Sequence, residues 1–224
     1  MRSPISSLLG LSFVFLVHVP ADAAAAQAPS VDLTTFVTSL YAHGLPCTEA
    51  HAYGPQAVPD LVAMLADPSL EPHWVNVVAT LGCIGDASAV DPLMAFMKRQ
   101  QGPVSVDAFR AVLGVLPAIG QIAYGGDAAA LRIITEFVDP GACKSYGIAL
   151  AYGRYHDDAL AELLGRMAIN ALGVSGRPEA LALLKKMSDD PALRADWRDN
   201  VTEAIDLNQR MNSLGPEKVF AKEN

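Results

Sequence analysis

Four residues near the start of the predicted mature chain have side chains that bind metals: His43, Cys47, Glu49 and His51. Imidazole, thiolate and carboxylate are sound ligands for zinc or copper. The four-residue steps from His43 to Cys47 to His51 would align them on one face of a helix. Gly44 and Pro46 interrupt any such helix. No second cluster completes four ligands in sequence, although a fold could bring His73 or Cys83 nearby. The reading adopted is a solvated turn holding one disulfide cysteine, with no resident metal or cofactor. His156-Asp157-Asp158 has acid/base residue types, but Asp158 is expected to cap a helix beginning at Ala159. No G-x-S-x-G elbow, phosphate-binding loop or H-E-x-x-H occurs, so no catalytic residue is assigned. Tyr146, Tyr152, Arg154 and Tyr155 lie in one segment. Aromatic residues and Arg are favoured at interfaces, which makes this segment the candidate partner-binding surface. The competing reading has Tyr146 and Tyr152 packing an extra helix onto the fold.

The elements that position these residues follow an export signal. Residues 1–26 combine a charged head, an apolar stretch over 8–19 and the small-residue exit Ala21-Asp22-Ala23. That order is expected of a secretory signal peptide, cleaved after Ala23 or within the alanines that follow. The periplasm or the extracellular space is the compartment implied. No other segment reads as long and apolar enough to cross a membrane. The chain carries 16 Lys+Arg against 24 Asp+Glu, a net charge of −8. Such a balance repels phosphate backbones and anionic lipid, so neither nucleic acid nor a membrane is an expected partner.

Residues 31–214 repeat themselves. Four segments share the pattern x-A-[VL]-x-x-[LI], with alanines at Ala57, Ala89, Ala130 and Ala180. A glycine precedes each: Gly54, Gly85, Gly126 and Gly176. Apolar residues follow one turn on, making one stripe per helix. The segments before these glycines also match, as Leu81-Gly82-x-x-Gly85, Leu172-Gly173-x-x-Gly176 and a longer copy at Ile119-Gly120. The pattern predicts a helix ending near the first glycine, a turn at the second, and another helix. Asp86 and Asp127 are placed to accept from free amides of the next helix. Pro55 and Pro178 suit a first helical turn. Pro59 and Pro92 predict second helices that are kinked or start late. A first helix is expected over 33–42, an extra one over 142–151 in an insertion, and a charged end-cap over 195–211. Residues 215–224 read as a flexible tail. No run shows sustained period-two alternation, so strand is nearly absent from the prediction.

The stretch Leu81-Gly82-Cys83-Ile84-Gly85-Asp86-Ala87-Ser88-Ala89-Val90-Asp91-Pro92-Leu93 resembles the HEAT-like repeat first associated with phycobilisome lyases. Ala171-Leu172-Gly173 through Ala180-Leu181 is similar, with Arg177-Pro178 in place of the usual acidic residue. The resemblance covers residues 53–188. It implies an all-α fold, an α-solenoid of about four helix pairs with a C-terminal capping helix, and says little of function, because repeat consensus residues build the stack. The expected function is a non-catalytic exported interaction module or scaffold binding another protein of the cell envelope. Two alternatives are a tetrapyrrole or bilin lyase-like enzyme or chaperone, implied by the resemblance, and a periplasmic metal binder using His43, Cys47 and His51.

Three cysteines in an oxidising compartment leave at most one internal disulfide and one free thiol. Cys47 follows the first helix and Cys83 lies at the corresponding turn of the next repeat, so both belong to one end of the stack. Cys143 follows a second helix and belongs to the other end, about 18 Å away for a 12-residue helix. Cys47–Cys83 is the expected pair; three separate thiols are the alternative.

Overall fold

The computed structural model describes residues 29–42 and 44–220; the signal assigned to residues 1–26 lies outside them. Twelve α-helices are described: α1 (Leu33–Thr38), α2 (Cys47–His51), α3 (Val58–Ala66), α4 (Trp74–Ile84), α5 (Val90–Arg99), α6 (Val106–Tyr124), α7 (Ala128–Glu136), α8 (Gly141–Ser145), α9 (Asp157–Val174), α10 (Pro178–Ser188), α11 (Ala195–Leu214) and α12 (Pro216–Val219). Among the described residues the fold is all-α apart from two three-residue strands, β1 (Gln101–Pro103) and β2 (Ala149–Ala151), which pair in parallel.

Helices α4, α6, α9 and α11 lie side by side in that order. Helices α3, α5, α7 and α10 flank this row: α3 packs on α4, α5 on α6, α7 on α6 and α9, and α10 on α9 and α11. The apolar stripes meet in one core. Leu81, Leu93, Leu116, Ile119, Ile122, Leu164 and Leu184 are fully buried. Each such side chain contributes about 1.5–3 kcal/mol on leaving water. Helix α6 is long and apolar enough to cross a membrane by length and composition, contrary to the expectation that no segment beyond the N-terminal stretch would be. It is apolar on most sides because α4, α5, α7 and α9 all pack on it.

The paired glycines have two different jobs. The second of each pair ends a helix: Gly85, Gly126 and Gly176 take left-handed φ angles of 74°, 103° and 57°. The helices were expected to end near the first, and α4 and α9 stop within two residues of it, but each helix runs through that glycine. Helix α4 runs through Gly82 to Ile84, α6 through Gly120 to Tyr124, and α9 through Gly173 to Val174. Each first glycine instead lets the next central helix approach. A β-carbon on Gly82 would lie 2.7 Å from the Ala118 Cα, one on Gly120 3.0 Å from the Ala171 Cα, and one on Gly173 3.1 Å from the Ala204 Cα. The same glycine–alanine contact therefore recurs at α4–α6, α6–α9 and α9–α11.

Local signals place the helix starts. Asp86 Oδ1 accepts from the Ser88 amide at 2.9 Å and Asp127 Oδ1 from the Ala130 amide at 2.7 Å. Helices α3 and α5 do start late, each after a 3-10 turn, Pro55–Ala57 and Ala87–Ala89, so that Pro59 and Pro92 fall in the first helical turn, where their missing amide costs nothing.

Several boundaries differ from expectation. Helix α1 stops at Thr38 rather than residue 42, since Thr38 and Ser39 hydroxyls bond back to the Thr34 and Thr35 carbonyls and Ser39 turns extended. Cys47 is not in a turn: it starts the short helix α2, for which Pro46 is the N-cap. The helix expected over 142–151 is only the one-turn α8, ended at Gly147 (φ 70°), after which Ala149–Ala151 pair with Gln101–Pro103. The end-cap α11 reaches Leu214, and within the segment read as a tail Pro216–Val219 form α12 against it.

Candidate functional site

The insertion between α7 and α9 carries the candidate surface. Its base is the ribbon, which ties it to the α5–α6 connection; the Val104 amide extends the ladder by donating to the Ala151 carbonyl at 3.0 Å. Beyond β2, Tyr152 and Tyr155 close a tight loop by exchanging two backbone hydrogen bonds of 2.9 Å. Both rings lie nearly parallel to that of Phe109 in α6, at centroid distances of 4.8 and 5.6 Å. Phe109 is buried, while Tyr152 and Tyr155 are half-buried. Arg154, at the exposed tip, places its guanidinium 5.1 Å from the Tyr155 ring centroid and donates to the Tyr155 hydroxyl at 3.2 Å. Stacked aromatics fixed by a ribbon lose little side-chain freedom when something docks on them.

Tyr146 is held elsewhere. Its ring packs 4.9 Å from Phe137, the C-cap of α7, and lies beneath the Lys98 ammonium of α5, 5.1 Å from the centroid. Its hydroxyl donates to Glu136 Oε2, and Arg132 donates to Glu136 Oε1 at 2.8 Å. Burial pushes the Tyr146 phenol above its ordinary value, and the Glu136 carboxylate adds to the shift. The Tyr146 hydrogen bond, followed by that of Arg132, holds Glu136 below the usual carboxylate range. Of the four residues singled out in sequence, Tyr152, Arg154 and Tyr155 thus form one cluster on Phe109. Tyr146 wedges the insertion between α5 and α7. Sequence reasoning missed Phe109, Lys98 and Glu136. Phe109 reads as an ordinary core position, and nothing local marks its partners more than 40 residues away.

Of the His43, Cys47, Glu49 and His51 cluster, the three described members do not converge as a ligand set. His43 lies outside the described residues. Cys47 is bonded to Cys83, with Cα atoms 5.2 Å apart, so its sulfur is no thiolate. His51 places Nδ1 3.1 Å from the Cys83 carbonyl oxygen. Among the described residues no three His, Cys, Asp or Glu groups converge as metal ligands. Cys143 is a buried free thiol in α8, pushed up to about 11 by its burial.

The other candidate does not cap as expected. Helix α9 starts at Asp157, one turn position before Asp158, and its N-cap His156 makes no side-chain capping bond. His156 Nδ1 lies 3.0 Å from Asp157 Oδ2, both exposed, in a pair open to water. Two open grooves lie on other faces of the described residues. One, of about 420 Å³, is lined by Asp32, Asp60 and Asp67 with Leu33, Met64 and Leu70. Asp32 and Asp67 there are committed to capping the Thr35 and Ser69 amides. The other, of about 370 Å³, lies between α3 and α5 and is lined largely by Val62, Leu65, Pro92 and Phe96. No protein-family model matches the chain, and neither does any curated protein or solved structure.

Proposed function

We propose that the protein is a non-catalytic interaction module: an exported helical-repeat scaffold that binds another protein of the cell envelope through its insertion. The observation that carries this reading is the Phe109–Tyr152–Tyr155 stack with Arg154 at its tip. It combines the residue types that dominate binding energy at protein interfaces with a rigid base. In this reading the chain is a short α-solenoid of about four HEAT-like pairs, with α11 as the water-facing cap. Support comes from the recurring glycine–alanine contact between successive central helices and from the glycine turn that follows each first helix. Outward faces of such a stack are free to vary and to bind. Export is supported by the charge and hydropathy order of residues 1–26 and by a disulfide, a bond that persists in oxidising compartments.

The test is site-specific photo-crosslinking in native envelopes. A photo-reactive residue at Arg154 should give one discrete adduct, and the same residue at Glu203, on the exposed face of α11, should not. Equal capture at both positions, or none at Arg154, would remove the basis for assigning binding to the insertion.

A further inference from the structure

The N-terminal unit is attached to the stack unlike any other. Helix α1 has six residues and α2 five. Helices this short do not hold themselves in water. Both pack chiefly on α4. The side of α4 they cover includes polar groups: Asn76, Thr80 and Cys83 follow at steps of four and three, one stripe of the helix. Asn76 Nδ2 donates to the Val37 carbonyl at 2.8 Å and to the Ser39 carbonyl at 3.0 Å. Another side of α4, where Gly82 meets Ala118 and Val78 meets Gly114, is apolar and packs on α6. The ring contacts of Phe36 with Tyr41 and Tyr53 lie within the N-terminal unit itself. The covalent tie joins the first residue of α2 to the last turn of α4 across 36 residues of sequence. Both of its cysteines are half-buried, whereas Cys143 is buried.

We infer that the Cys47–Cys83 bond is a redox latch: exchange with a dithiol reductant frees α1 and α2 from α4 while the helices from α4 to α11 stay folded. One thiolate of the dithiol attacks a latch sulfur and the Sγ–Sγ bond breaks. The second thiol of the reductant then displaces the protein sulfur from the mixed disulfide. Two electrons and two protons pass to the protein, which ends with two thiols, and the reductant leaves as its own disulfide. Asn76 regains water as a hydrogen-bond partner, so opening leaves no polar group of that stripe stranded. Cys143 takes no part in exchange near neutral pH, because the thiolate is the reactive form and burial holds this thiol protonated.

Hydrogen exchange of the full chain, before and after reduction with dithiothreitol, tests the latch; alkylation at neutral pH counts the freed thiols. Two thiols should react. Amides of α1 and α2 should lose protection on the order of 100-fold, the scale set by opening a loop of this length, while α6, α9 and α11 keep theirs. The Cys47→Ser, Cys83→Ser double variant should match the reduced protein without reductant. Unchanged protection in α1 and α2 after reduction, or simultaneous opening of the central helices, would overturn the inference.

Discussion

A β-carbon on Gly120 of α6 would sit 2.7 Å from the carbonyl oxygen of Ala171 in α9. The obstacle is backbone, so neither side can rotate away. Gly120→Ala should therefore destabilise the protein by about 1–3 kcal/mol, an overpacking cost that outweighs the gain in helix propensity. Gly114 lies in the same helix, and there the nearest atom is the Val78 Cγ1 at 3.3 Å. Gly114→Ala should be neutral or stabilising by up to about 1 kcal/mol. Urea unfolding of the two variants checks the pair; equal effects would show that the close approach is not what selects glycine at 120.

Asn208 of α11 is fully buried and donates to the Leu172 carbonyl at 2.8 Å and the Arg177 carbonyl at 3.2 Å. It thereby binds the end of α9 to the following turn. Asn208→Leu should cost about 1–3 kcal/mol, because the Arg177 carbonyl loses its side-chain partner. Thr202→Ala, on the exposed side of the same helix, should change stability by less than about 0.5 kcal/mol. Chemical denaturation midpoints compare the two.

These interactions mark the limit of what the sequence made legible. Turn chemistry is local, so Gly85, Gly126 and Gly176, with Asp86 and Asp127, could be assigned from their neighbours alone. The α11 start at Ala195 agrees with the charged end-cap expected from residue 195. Close approach between helices is not local. Gly82, Gly120 and Gly173 could be placed near helix ends, but not at close approaches, because the alanines that need them lie 31 to 51 residues away. The ribbon was hidden for the same reason: three residues per strand are too few to show alternation, and Gln101 finds Ala149 only through the fold. Cys47 and Cys83 meet as helix order implies, but from inside α2 and α4 rather than from the turns where they were placed. At the candidate site the tyrosines were visible by type, whereas their division between Phe109 and the Lys98–Glu136 pair was not.

Acid should loosen the insertion before the stack. Glu136 is held below its ordinary range by the Tyr146 hydroxyl and then by Arg132. A carboxylate whose folded value lies below its unfolded one contributes stability that is complete above the unfolded value and is lost as pH falls through the folded value. Exchange protection of α8 should thus fall as pH drops below the usual glutamate range. Glu136→Gln should lower that protection at neutral pH and flatten its pH dependence. A variant with an unchanged profile would assign the acid response to other carboxylates.

In the proposed function a partner binds at the stacked cluster on Phe109. The measurement is the dissociation constant of the purified complex for the wild type and for the Arg154→Ala variant, whose side chain is exposed, with the melting temperature of each recorded. Affinity should fall at least tenfold, since a hot-spot arginine costs about 2 kcal/mol or more on truncation, with the melting temperature changed by less than about 2 °C. Unchanged affinity, or a loss accompanied by a comparable loss of stability, would contradict it.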